Sequence, residues 1–127
     1  MKSIFINIPV NNLPKSIDFV KKLGFSIDPQ MTSEENANVI IEENIFIMLV
    51  TKSKFQEYSK KEIADSSKVM ESVIALSFET KAEVDKVFNA AIKAGGKEAL
   101  ETKDYGFMYM RTFEDLDGHI WELFWKK

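Results

Sequence analysis

A single carboxylate near the C-terminus sits where an acid needs a reason to be. Ile120, Glu122 and Phe124 alternate with Trp121, Leu123 and Trp125. That is the period of a β-strand, so Glu122 shares its face with two large apolar residues. An isolated buried charge is strongly unfavourable, so this acid must be exposed, paired, bound to a cation or protonated. Other chemistry is scarce. The only histidine, His119, has the opposite parity and reads as a turn or surface residue. No Ser-His-Asp set can be assembled around it. There is no cysteine, which removes thiolate nucleophiles, disulfides and cysteine metal sites. Gly95-Gly96 closes a helical pattern instead of opening one, so it cannot cradle a phosphate.

The elements that must position Glu122 follow from periodicity. Asp115-Leu116-Asp117-Gly118 is a reverse-turn signal that starts the last strand, over 119–126. Residues 3–9 alternate as a first strand, with Pro9 ending the pairing or marking an edge. Asn11-Asn12 and Pro14 open a helix over 13–23, and Gly24 stops it. Short strands are expected at 25–28, 37–42 and 45–51, with a polar loop at 29–36. The stretch 52–71 is polar and reads as a short helix followed by a connector. The pattern then restarts. A strand at 72–78 leads to a helix over 81–94, with Thr80 and Glu83 spaced as a capping box. Its apolar stripe is Val84, Val87, Phe88, Ala91 and Ile92. Strands at 98–102 and 107–113 precede the last one.

Both halves therefore read strand–helix–strand–strand–strand, a repeat of pattern and not of residue identity. Such a unit cannot bury both faces of its sheet alone. The fold expected is α+β: two βαβββ modules, about 1–51 and 72–127, forming one domain with the connector 52–71. Their mixed sheets should curl around a central cleft, with the helices outside.

The run Phe113, Asp115, Asp117-Gly118-His119, Trp121-Glu122-Leu123 resembles the closing hairpin of the vicinal oxygen chelate superfamily, which includes glyoxalase, bleomycin-resistance and extradiol dioxygenase proteins. Asn7, Pro9-Val10, Leu13, Leu23-Gly24-Phe25 and Ala94-Gly95-Gly96 extend the resemblance over nearly the whole chain. The usual residue between the two aspartates is proline, and here it is Leu116. In metal-dependent relatives four cleft positions hold the ion. The resemblance maps them to Phe5, Met48, Val73 and Glu122, of which only Glu122 offers a hard oxygen donor. The resemblance thus implies a member with a degraded metal site, with no metal and no cofactor.

The expected site is a cleft lined by Phe5, Asn7, Met48, Val73, Met108, Met110, Thr112 and Phe124, with Glu122 the one candidate catalytic group. Arg111 and Tyr109 fall on the helix side by alternation. This lining is apolar and rich in methionine and phenylalanine, as small-ligand pockets tend to be. Three roles compete: a metal-free binder of a small, partly apolar molecule; a lyase, isomerase or dioxygenase using Glu122 as metal ligand or base; and a structural dimer whose cleft does no work. The first is the reading adopted, with a homodimer as the expected assembly. A net charge of −3 argues against nucleic acid. No apolar run is long enough to span a membrane, and residues 1–10 are too short for a secretory signal, so a cytoplasmic address is expected.

Overall fold

A computed structural model describes all residues, Met1–Lys127. The chain divides into two compact units, Met1–Ile63 and Ala64–Lys127. The segment 52–71 is therefore shared: 52–63 completes the first unit and 64–71 begins the second.

The first unit runs β1 (Ile4–Val10), α1 (Leu13–Lys22), β2 (Ser26–Asp28), β3 (Asn36–Glu42), β4 (Ile45–Thr51) and α2 (Lys52–Phe55). Its sheet has the order β1-β4-β3-β2, with β1 parallel to β4 and the other pairs antiparallel. Pro9 is tolerated because β1 is an edge strand. Asn12 caps α1, its side chain accepting from the Lys15 N–H at 3.1 Å. Leu13, Phe19 and Val20 are buried on α1, and Ile8, Val10, Ala37, Val39, Ile47 and Leu49 are buried on the sheet face of matching parity. The expected loop at 29–36 contains a single 3-10 turn, Pro29–Met31, capped by Asp28 through the Gln30 N–H.

The second unit repeats the plan with β5 (Val73–Ser77), α3 (Lys81–Lys93), β6 (Lys97–Asp104), β7 (Met108–Glu114) and β8 (Ile120–Lys126), in the order β5-β8-β7-β6. Two four-stranded mixed sheets with their helices are thus the α+β, βαβββ architecture expected, and neither sheet closes on itself. Thr80 caps α3, accepting from the Glu83 N–H, while the Glu83 carboxylate reaches back to the Glu79 N–H. Ile92 leaves the expected stripe. It is 38% exposed because the buried arc narrows to Val84, Val87, Phe88 and Ala91. Trp121, Leu123 and Phe113 are fully buried, and the Phe113 and Trp121 rings stack with centroids 5.8 Å apart. Asp85 of α3 accepts from the Tyr109 hydroxyl at 2.6 Å and from Arg111 Nη1 at 3.0 Å. The Arg111 guanidinium lies 3.8 Å over the Phe88 ring. These contacts fix the helix side of β7 and hence of β8. By alternation, Glu122 lies on the face turned away from α3.

Candidate functional site

Within the first unit, register places Asn7, Met48 and Asn38 side by side across three strands. One same-face step away along those strands, Phe5 and Phe46 stack at 4.6 Å with their planes 13° apart, beside Ile40. Phe5 is 40% exposed. The Tyr58 hydroxyl donates to Asn7 Oδ1 at 3.2 Å, bringing the one-turn segment after α2 to the middle of β1. Asn36 Nδ2 lies 3.4 Å from Met48 Sδ, and Asn38 Nδ2 lies 3.7 Å from Met31 Sδ. Asn38 is fully buried, and its Oδ1 has no hydrogen-bond partner.

Within the second unit, Glu122 stands between Ala75 of β5 and Thr112 of β7. Phe124 stands between Ser77 and Met110, and Ile120 between Val73 and Glu114. Thr112 is buried, Glu122, Phe124 and Met110 are half-buried, and Val73 is 44% exposed. No hydrogen bond or ion pair within the chain engages the Glu122 carboxylate, although neighbouring acids such as Asp115 and Asp85 are bonded.

The expected site residues thus divide by unit. Phe5, Asn7 and Met48 share one face of the first sheet, while Val73, Met108, Met110, Thr112, Glu122 and Phe124 share one face of the second. The register refines the four positions taken from the resemblance. Asn7, not Phe5, is directly beside Met48, and Ala75, not Val73, is directly beside Glu122. No group of three or more His, Cys, Asp or Glu side chains comes together anywhere in the chain. Sequence reasoning missed Asn36, Asn38 and Tyr58. The signal for Asn38 was an amide inside the strand run Ala37-Asn38-Val39-Ile40. Tyr58 gave none, since its partner lies 51 residues away.

The hairpin that aims Glu122 is built around Asp115. Its Oδ1 accepts from the Asp117 N–H at 2.9 Å and the His119 N–H at 3.0 Å. Its Oδ2 accepts from Trp121 Nε1 at 3.0 Å. Burial pushes the Asp115 carboxyl above its ordinary value, against the charge of His119 and these three donors. The connector closes the turn from outside. Ser66 Oγ donates to the Asp117 carbonyl at 2.7 Å. Gly118, at φ +88°, lies so close to Ser66 that an added Cβ would be 2.5 Å from its carbonyl oxygen.

Comparison with solved structures agrees with this plan. A hypothetical protein from S. aureus is 29% identical, with a TM-score of 0.82 over 98% of this chain and 93% of its own. A glyoxalase/bleomycin resistance protein/dioxygenase family enzyme from Burkholderia phytofirmans PsJN is 15% identical, with a TM-score of 0.83 over the whole of both chains. A glyoxalase-related enzyme from Fulvimarina pelagi is 18% identical, with a TM-score of 0.82 over 99% of this chain and 88% of its own. At those two identities the likeness is one of fold. No curated protein matches the chain. The hairpin, the duplicated module and a family match over residues 3–123 converge: the chain belongs to the Glyoxalase/Bleomycin resistance protein/Dioxygenase superfamily.

Proposed function

We propose that this protein binds a small, partly apolar molecule on a sheet face turned away from its helix, without a divalent metal. The observation that carries this reading is Glu122: a half-buried carboxylate among Ile120, Phe124, Met110 and Thr112 with no partner in its own chain. A half-buried acid with no partner in its chain is open to a donor supplied from outside. A hard cation needs several oxygen or nitrogen ligands, and the register sets Asn7 beside Met48 in the first unit and Ala75 beside Glu122 in the second, which leaves Glu122 the only carboxylate among the four. That donor set does not fit a metal centre. A second reading, a lyase, isomerase or dioxygenase reaction using Glu122 as base or metal ligand, draws on the same unpaired carboxylate. We also propose that the protein is a cytoplasmic homodimer. In support, each sheet ends in edge strands within its own unit, including the eight-residue β6.

Two measurements test this. Elemental analysis of protein purified without chelator should find no stoichiometric zinc, nickel, manganese or iron. About one tightly held metal per chain, lost on Glu122→Ala, would overturn the metal-free reading. A panel of small amphiphilic fragments should include compounds that raise the Tm of the wild type and do so less for Glu122→Gln. A panel without any stabilising compound counts against binding, and turnover abolished by Glu122→Gln would establish the enzymatic alternative.

A further inference from the structure

Asn38 is fully buried on the same face of the first sheet as Asn7 and Met48, with Oδ1 unpartnered. Its Nδ2 contacts only the Met31 thioether, a weak acceptor, at 3.7 Å. Met31 itself is 43% exposed, on a one-turn segment. An amide presenting both a free acceptor and a loosely held donor matches a ligand edge that carries N–H beside C=O, which it can pair bidentately. The adjacent surface is aromatic, with the two rings covering each other's inner faces and Phe5 the more open. Phe5 and Phe46 stack 13° from parallel one same-face step along their strands, about 7 Å in strand geometry. Met48 lies between Asn7 and Asn38 as a polarisable floor. The Tyr58 hydroxyl, held only by Asn7, closes the β1 side. None of these groups carries a charge.

We infer that the first unit holds a subsite for an uncharged heterocycle bearing a lactam or amide edge, read by Asn38 once Met31 is displaced and packed against the edges of the Phe5–Phe46 pair. This rests on the small-molecule-binding reading, but it places the specificity in the amide of Asn38, away from the carboxylate of Glu122. The buried Oδ1 is the determinant, because a ligand lacking the donor leaves it unsatisfied in the complex as well.

Methyl-labelled methionine makes the full-length chain report the location of binding by NMR. Met31 and Met48 lie in the first unit, and Met108 and Met110 in the second. The probes are 2-quinolone, a planar lactam, and N-methyl-2-quinolone, which keeps the ring and loses the donor. 2-Quinolone should shift the Met31 and Met48 methyls and saturate, and the N-methyl compound should bind at least about ten-fold more weakly. Asn38→Leu should abolish the preference between the two, whereas Phe5→Ala should weaken both together. Equal binding of the two probes, or a preference that survives Asn38→Leu, overturns the inference. Shifts confined to Met108 and Met110 overturn it while leaving small-molecule binding intact. Silence of all four methyls also overturns it, and the fragment panel judges the broader reading separately.

Discussion

Asp115 shows how much one side chain can hold at the end of the second unit. It satisfies two backbone donors of the turn and the indole N–H of the fully buried Trp121. Asp115→Ala strands all three, so a loss of about 3 kcal/mol or more in denaturant-measured stability is expected. Asp115→Asn keeps an acceptor for the backbone pair but turns an N–H toward the indole N–H, and should cost about 1–3 kcal/mol. The pH dependence has a definite sign. Burial raises the folded carboxyl above its unfolded value, so the folded chain binds more protons there. That contribution is fully present below the unfolded pKa, about 3.9, and is lost as pH climbs through the folded value. The stability gap between wild type and Asp115→Asn should therefore widen from pH 7 to pH 3.5, and a narrowing gap would refute the desolvation account. The sequence marked Asp115 only as a turn former. Its grip on Trp121, six residues on, depends on how the hairpin closes, and no local pattern encodes that.

Among the elements, the connector and the closing hairpin form one construction. Gly118→Ala needs a left-handed backbone in a residue with a Cβ, and drives that Cβ into the Ser66 carbonyl and Ser67 Cα. Gly24, at φ +102°, has open space around it, so Gly24→Ala meets only the backbone penalty. Thermal melts should show a loss of about 1–2 kcal/mol for Gly24→Ala and at least twice that for Gly118→Ala. Similar losses would mean that the connector yields. Elements of this kind were legible to very different degrees. The core strands and both long helices could be read from alternation and caps, because burial on one face writes itself into every second or every third-to-fourth residue. β6 was read too short, at 98–102, because its residues are mostly exposed and two register shifts break its alternation. The turn Pro29–Met31 was read as loop because one turn has no period to detect. The unpartnered amide of Asn38 stayed invisible because its surroundings depend on Met31, seven residues away, and on which strand lies beside it.

For the whole molecule, sedimentation equilibrium should give a mass near twice 14.6 kDa at micromolar concentration. A monomer at all accessible concentrations would remove the dimer from the proposal. The family plan itself was the most legible level. A duplicated strand–helix–three-strand pattern and one hairpin motif sufficed, since topology follows from the order of elements. The surroundings of Glu122 and Asn38, on which the proposed binding rests, are written in tertiary contacts, and those were not readable in advance.

The order β5-β8-β7-β6 also has a consequence for biosynthesis. β8 is the only neighbour of β5, so Val73-Ile74-Ala75-Leu76 leaves the ribosome with nothing to pair with until Ile120–Lys126 follow. Roughly forty residues separate the two strands. At about 5–20 residues per second, that apolar segment waits roughly 2–8 s as a nascent chain. The first unit meets the same delay, since β1 pairs only with β4. Slowing translation should therefore lengthen the unpaired interval twice, once for each copy of the module.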